Sequence, residues 1–301
     1  MSGRTEVKTV RTAAGTYTVH RDAPHATGPF IVFLAGGPGF SCAPERAILS
    51  PLLLEHANIV WFDQLGSLGS PPHDPSLVSW KRLADDVAFL IRTEAGGSAH
   101  ILAHSGGTIS THYLHRAHPE VIKSVTWLAP VPRLAGAFGG ILRRQIEVGH
   151  LRESDLTADE RAALRRLLVL AENEWGRSEV DLLLGLLPKV EDFFAIYWRD
   201  RGARARYDAL APEGHVSGLA FRMLTGEYLE NGKTDIPDYS GIPALALPGE
   251  GDPIAPWEIH GKAMVQAIPH LRIETILNGY HFPHIEATEA VVRIWAEFAL
   301  R

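Results

Sequence analysis

Residues 103–107 are Ala103-His104-Ser105-Gly106-Gly107, and they lie between the apolar run 99–102 and a helical pattern. They match the pattern G-x-S-x-G, with Ala103 in the first glycine position. A serine in a sharp turn from strand to helix needs small residues two positions before and after it, because the strained backbone brings the flanking elements almost into contact. The stretch therefore predicts a nucleophile elbow at Ser105.

Two later strand patterns each lead into a turn that carries a catalytic residue type. Residues 244–247 precede a turn with Asp252, and residues 273–277 precede a turn with His281. A neutral serine hydroxyl needs a base, which histidine supplies, and a carboxylate holds the imidazole tautomer. The chain order Ser105, Asp252, His281 differs from the order in chymotrypsin and in subtilisin. We predict that these three residues form a catalytic triad.

The sequence offers alternatives for two of the three residues. Glu250 precedes the apex of its turn and Asp238 lies before the strand, so Asp252 is the preferred acid. His284 follows His281 by three residues, and we expect it to pack or to form a hydrogen bond on the next segment.

A glycine-rich turn, Ala35-Gly36-Gly37-Pro38-Gly39, follows the apolar run 30–34. Such a turn can aim a backbone N–H group at a developing oxyanion, and the residue after the nucleophile supplies a second donor. We predict an oxyanion hole formed by Gly106 together with Gly36 or Gly37.

Alternating strand and helix patterns predict an α/β fold with a mostly parallel central sheet flanked by helices. An opening hairpin is expected at 5–10 and 16–20, and buried strands at 30–34, 58–62, 100–103 and 124–128. Between residues 131 and 235 only helical patterns occur, among them 161–171 and 180–187. We predict a core of residues 1–130 and 236–301, with a helical cap inserted at 131–235 over the carboxyl ends of the strands.

These motifs resemble those of the α/β-hydrolases, and within them those of the proline iminopeptidases. The resemblance rests on the segments 36–39 (GGPG), 62–70 (FDQLGSLGS), 103–107 (AHSGG), 251–252 (GD) and 279–286 (GYHFPHIE). It favours Gly37 as the second oxyanion donor. Three departures stand out: Ala35 replaces a histidine, Leu65 replaces an arginine, and the usual tryptophan before the nucleophile is missing.

The resemblance implies a serine hydrolase that forms an acyl-enzyme and releases N-terminal proline from a short peptide. An alternative is that the same groups act on an ester, thioester or lactone of a small molecule. A third hypothesis is a protein of this fold that binds or isomerises a ligand without hydrolysis.

Substrate contacts are expected from the cap. In the resembled aminopeptidases, carboxylates of the cap bind the substrate's amine, and Glu227 and Glu230 are the nearest candidates here; the alternative is an exposed helix end. Tyr280, Trp198 and Phe138 are candidates for the lining of an apolar pocket or for the core.

The composition limits the classes of partner that we expect. The chain has 301 residues and a formal net charge of −6, which argues against nucleic acid or anionic membrane as the main partner. We expect a small-molecule or short-peptide substrate. The start of the chain lacks an apolar leader pattern and no segment is long enough for a membrane span, so a cytoplasmic protein is predicted.

The sequence predicts neither a cofactor nor a metal. The glycine turn has no Walker lysine and no dinucleotide spacing. His112, His115 and His118 recur every three residues, but without a carboxylate or cysteine signature, so a solvated helix face is preferred. The single Cys42 excludes an internal disulfide and is expected to be buried or incidental.

Overall fold

A computed structural model of the chain describes residues 5–25, 27–170, 174–231 and 236–300. The predicted start of the core at residues 1–4 and the predicted end of the cap at residues 232–235 lie outside them. The strands are β1 (Thr5–Arg11), β2 (Thr16–Asp22), β3 (Phe30–Leu34), β4 (Asn58–Trp61), β5 (Ala99–His104), β6 (Ile122–Leu128), β7 (Ala244–Leu247) and β8 (Arg272–Ile273).

In the described part of the chain these strands form one sheet, in the order β1-β2-β4-β3-β5-β6-β7-β8. The hairpin β1–β2 is antiparallel, as is the pair β2–β4, and every other pair is parallel. The predicted mostly parallel sheet is therefore confirmed. Its carboxyl-terminal edge collects the turns after β3, β5 and β7, which carry the predicted site residues.

Helices cover both faces of the sheet. They are α1 (Ala43–Leu53), α2 (Trp80–Glu94), α3 (Gly107–Ala117), α4 (Leu134–Glu147), α5 (Ala158–Val169), α6 (Arg177–Leu186), α7 (Arg201–Leu210), α8 (Gly218–Asn231), α9 (Trp257–Ala267), α10 (Pro283–Glu286) and α11 (Thr288–Ala299). Alternate residues of β3 pack into the hydrophobic cores on the two faces of the sheet, since side chains in a strand point to opposite faces. Ile31 and Phe33 pack with α1 and α11, and Val32 and Leu34 pack with α2 and α3.

The last predicted strand differs from the observed one. Residues 273–277 were expected to be a strand, but β8 comprises only Arg272–Ile273. Beyond it, the chain keeps contact with the sheet through the N–H of Ile276, which donates to the Pro248 carbonyl at 2.8 Å, and through a bridge to Gly249. The contact with β7 therefore continues past Ile273 as single bonds rather than as a regular ladder.

The stretch between β6 and β7 contains α4 to α8 and no strand of the sheet within the described residues. The predicted helical segments 161–171 and 180–187 overlap α5 and α6; the predicted end at residue 171 lies outside the described residues. None of the described helices combines the length and the apolar character that a membrane span needs. The cytoplasmic location stays a prediction.

The three histidines at 112, 115 and 118 do not form a solvated face. His112 is buried, and its Nδ1 lies 2.9 Å from the Tyr239 hydroxyl. The His115 ring packs on Tyr239, and His118 pairs with Asp85 at 2.9 Å. The solvated-face prediction was wrong because this helix packs against the chain before β7.

The start of α3 presses against the end of β3. A Cβ atom at Gly107 would lie 2.5 Å from the Leu34 carbonyl oxygen and 3.1 Å from that of Ala35. By contrast, a Cβ at Gly185 in α6 would meet no atom within 4 Å. Gly107 and Gly185 can therefore be compared directly, because both are helical glycines and only Gly107 lacks space for a Cβ atom.

We expect Gly107→Ala to lower the free energy of unfolding by about 1–3 kcal/mol, because the methyl group must push β3 and α3 apart. Gly185→Ala should raise it by about 0.5–1 kcal/mol, because alanine has less backbone freedom to lose. Urea unfolding of both variants and the wild type measures the difference. Equal midpoints for the two variants would contradict the crowding.

Candidate active site

Ser105 occupies the turn between β5 and α3 and has a φ of 50°, in the left-handed region. Its N–H donates to the Leu128 carbonyl at 2.9 Å, which extends the pairing of β5 with β6 by one residue. A left-handed non-glycine residue costs about 1–3 kcal/mol and persists only where its surroundings impose it. The turn thereby lifts the hydroxyl off the end of the sheet.

The structure brings Ser105, His281 and Asp252 together. The Nε2 atom of His281 lies 2.7 Å from the Ser105 Oγ, and its Nδ1 lies 2.8 Å from the Asp252 Oδ2. The other carboxylate oxygen, Oδ1, accepts the N–H groups of Ile254 and Ala255 at 2.8 and 3.2 Å. All three side chains are buried.

This geometry defines the protonation pattern at the site. A carboxylate can only accept, so the Nδ1–H of His281 donates to Asp252 and the Nε2 lone pair faces the Ser105 hydroxyl. The imidazole can then take the hydroxyl proton, and the adjacent carboxylate stabilises the imidazolium that results. The arrangement is therefore able to generate a serine nucleophile.

The residues weighed as alternatives lie elsewhere. Glu250 pairs with Arg199 at 3.2 Å, and Asp238 accepts the Ser240 N–H at 2.8 Å. His284 is buried, with its ring centroid 4.4 Å from that of His104.

Backbone contacts hold the segment that carries His281. The N–H of His281 donates to the Tyr197 carbonyl at 3.1 Å. The partly buried Glu286 carboxylate accepts the N–H groups of Tyr280, Arg199 and Asp200 at 2.6, 2.6 and 2.8 Å. Burial raises the pKa of Glu286, and the three donors oppose that shift. Sequence reasoning missed this residue, although it closes the 279–286 motif.

The predicted oxyanion residues lie beside Ser105. Gly37 has a φ of 108°, and a Cβ at Gly106 would lie 2.4 Å from the Gly37 carbonyl oxygen. No hydrogen bond of the described residues uses the N–H of Gly37 or of Gly106. Gly37 lines the cavity at Ser105, whereas Gly36 does not. Two unengaged N–H groups thus flank Ser105 on touching segments.

Side chains from the turn after β4 fix the glycine turn. The Gln64 amide donates to the Ala35 carbonyl at 2.7 Å, and its oxygen accepts the Gly39 N–H at 2.9 Å. Asp63 accepts the N–H groups of Cys42 and Gly69 at 2.8 and 2.9 Å.

A cavity of about 390 Å³ opens at Ser105. Among the described residues, none that lines it is an Asp, Glu, Lys or Arg, and the polar ones are His104, Ser105, Tyr197 and His281. The others are Gly37, Phe40, Val131, Leu134, Ala137, Phe138, Ile141, Leu183, Leu184, Leu187, Phe193, Phe194, Val216, Gly218, Phe221 and Ile254. Sequence reasoning found Phe138 alone among the apolar side chains.

The predicted substrate carboxylates do not line this cavity. The Glu227 Oε2 accepts the N–H of Trp80 at 2.8 Å, at the start of α2, and burial raises the pKa of this carboxyl. Glu230 is exposed and pairs with Arg177 at 2.9 Å. Both carboxylates thus connect α8 to neighbouring helices.

Two predicted aromatic contacts also lie away from the cavity. The Tyr280 ring contacts Arg199, whose guanidinium carbon is 5.9 Å from the ring centroid. The Trp198 ring stacks on Phe282 at 4.2 Å. Cys42 is buried, and burial raises the pKa of its thiol.

Comparison with known families gives a match to the alpha/beta hydrolase fold over residues 29–288. No match is found among curated protein sequences. Among solved structures, a proline iminopeptidase-related protein from Thermus thermophilus is similar, at 24% identity and a TM-score of 0.67, over 99% of this chain and 97% of that one.

Two further structures show the same likeness. A proline iminopeptidase from Mycobacterium smegmatis has 18% identity and a TM-score of 0.65, over 98% of both chains. A thermophilic esterase from Thermogutta terrifontis has 17% identity and a TM-score of 0.64, over 97% of both chains. At these identities the likeness establishes the shared fold.

The carboxylate of Glu286 leads to a stability prediction. Glu286→Gln should lower the free energy of unfolding by about 1–3 kcal/mol, because the amide has one acceptor oxygen for three N–H donors that now bond to a charged carboxylate. Glu289→Gln, at an exposed carboxylate of α11, should change it by less than about 0.5 kcal/mol. Urea unfolding measures both, and a Glu286→Gln variant as stable as the control would argue against the carboxylate contacts.

Proposed function

The chain belongs to the alpha/beta hydrolase fold family, and on that basis we propose that it is a serine hydrolase that forms an acyl-enzyme on Ser105. The observation that carries the proposal is the unbroken hydrogen-bonded series from the Ser105 Oγ through His281 to Asp252, at 2.7 and 2.8 Å. The two unengaged N–H groups beside Ser105 would stabilise the negative charge that develops on the substrate's carbonyl oxygen.

In the first half-reaction, the Ser105 Oγ attacks the substrate's carbonyl carbon and its proton passes to the Nε2 of His281. The carbonyl oxygen becomes negatively charged, and the N–H groups of Gly37 and Gly106 stabilise it. The bond to the leaving group then breaks as His281 returns the proton to that group. The acyl group stays bound to Ser105.

In the second half-reaction, water gives a proton to His281 and attacks the acyl carbon. The tetrahedral intermediate uses the same two N–H groups. Its collapse breaks the bond to Oγ, His281 returns the proton to Ser105, and a carboxylic acid is released. Asp252 stays ionised throughout and stabilises the imidazolium.

The lining of the cavity supports a role for residues 131–235 as a cap. Leu134 and Phe138 come from α4, Leu183 from α6 and Phe221 from α8, while Ser105 comes from the core. Substrate selection would then rest with the insertion, and the chemistry with the turns at the end of the sheet.

Two substrate classes remain for this site. The resemblance to proline iminopeptidases points to peptides with N-terminal proline, whose amine is charged at neutral pH. The described lining of the cavity is instead apolar and holds no acidic residue, and burying an unpaired ammonium costs several kcal/mol. The lining thus favours an uncharged ester, thioester or lactone with an apolar acyl group. Binding or isomerisation without hydrolysis would leave the aligned Ser105 unused.

We expect Ser105→Ala, His281→Ala and Asp252→Ala each to lower kcat by about 10⁴- to 10⁶-fold on a p-nitrophenyl ester. The losses should not add in the Ser105→Ala/His281→Ala double variant, because the residues act as a unit. Ser110→Ala in α3, which truncates another buried serine, is the matched control and should keep full activity. A fluorophosphonate probe that labels Ser105→Ala as strongly as the wild type would contradict the assignment.

The substrate class can be tested with a pair of esters that differ in one terminal group. We expect kcat/KM for p-nitrophenyl hexanoate to exceed that for p-nitrophenyl 6-aminohexanoate by about 10²-fold or more, after correction for the rates of hydrolysis without enzyme. L-Proline p-nitroanilide should not be hydrolysed. Serine-dependent hydrolysis of the anilide in preference to the hexanoate would support the aminopeptidase instead.

A further inference from the structure

Three buried side chains from separate segments meet behind Ser105. Glu45 lies in α1, His104 ends β5 and His284 lies in α10, and their relative exposures are 0%, 1% and 0%. One nitrogen or oxygen atom from each lies within 4.8 Å of the others. We call these residues the Glu45 cluster.

The cluster holds polar atoms that lack partners. Among the described residues, no hydrogen-bond partner is found for the Glu45 Oε2, for the His104 Nδ1 or for either ring nitrogen of His284. A buried polar atom left unsatisfied costs about 1–3 kcal/mol, so four of them in one place require an explanation. A shared ligand that accepts lone pairs would satisfy several at once.

Neighbouring groups orient two of the three side chains. The Nε2 of His104 lies 2.8 Å from the His281 carbonyl oxygen, so the N–H is on Nε2 and the lone pair is on Nδ1. The hydroxyl of Tyr207 donates to the Glu45 Oε1 at 3.2 Å and leaves Oε2 unengaged. Metal-binding imidazoles and carboxylates are commonly held in this way by a second hydrogen bond.

Burial suits the cluster to a cation. Each ring has a nitrogen without a partner among the described residues, and a neutral imidazole offers a lone pair there. A carboxylate buried as completely as that of Glu45 needs a compensating charge. A divalent cation would compensate the carboxylate charge.

We propose that Glu45, His104 and His284 bind a divalent transition-metal ion, with Zn²⁺ as the best match to two imidazoles and one carboxylate. Zinc bonds of about 2.0–2.2 Å would draw the three atoms to about 3.3–3.5 Å from one another. The ion would join α1, the end of β5 and α10, and a water molecule would occupy its fourth position. The hydrolysis proposed for Ser105 does not depend on it.

This site departs from the metal-free expectation of the sequence. The ligands are separated by 59 and 180 residues along the chain, so no local spacing reveals them. Only the pairing of the strands brings residue 104 beside the segment that follows His281.

Elemental analysis of the untagged protein, purified without chelators from zinc-supplemented cells, tests the proposal directly. We expect about one zinc ion per chain, and a loss of at least about tenfold in Glu45→Gln and in His284→Gln. His112→Gln replaces an equally buried histidine outside the cluster and should keep the metal. The wild-type measurement depends on no variant, and substoichiometric zinc there would overturn the proposal.

Two further measurements locate the ion. After removal of zinc, titration with Co²⁺ should give the visible absorption of a four-coordinate site in the wild type and not in Glu45→Gln. Tyr207→Phe, which removes the hydroxyl on Glu45, should weaken zinc binding by about 10- to 100-fold in competition with a chromophoric chelator. Zinc retained at full stoichiometry in Glu45→Gln would place the metal elsewhere and overturn the proposal.

Discussion

The close approach of two backbones at the end of the sheet determines the rest of this structure. β3 and β5 are paired up to Leu34 and Ala103, and the turns that follow them touch at Gly37 and Gly106. The Gly37 carbonyl leaves no room for a side chain on Gly106, and the Leu34 carbonyl leaves none on Gly107. Ser105, with its left-handed backbone, and the two N–H groups that no described residue engages lie at this contact. The arrangement around Ser105 therefore depends on one packing constraint.

The segment of His281 is held by a different means. It follows the edge strand β8, which is only two residues long. Backbone groups from the stretch between β6 and β7 hold the segment instead of a long strand pairing. Glu286 connects the two segments by accepting the N–H groups of Arg199 and Asp200, and it also accepts that of Tyr280 in its own segment. Such fixed hydrogen bonds are how a site holds its reacting groups in place before substrate arrives.

Local sequence patterns predict much of the fold and of the site, and the predictions that failed share a cause. Most strands and the turns with Ser105, Asp252 and His281 follow from short-range periodicity and glycine placement. Glu227 was misjudged because its partner, Trp80, is 147 residues away. The Glu45 cluster and the lining of the cavity likewise depend on residues that only the folded chain brings together. The segment after residue 273 was predicted as a strand because its residue pattern does not show that it lies at the edge of the sheet.

Tyr197 links the lining of the cavity to the position of His281. Its side chain lines the cavity, while its carbonyl accepts the N–H of His281. In a lineage of related chains, exchange of the stretch between β6 and β7 would therefore alter the cavity and the placement of His281 in one step. Divergence of specificity in this protein is expected to proceed through substitutions that keep the backbone of residues 197–200, rather than through replacement of the whole insertion.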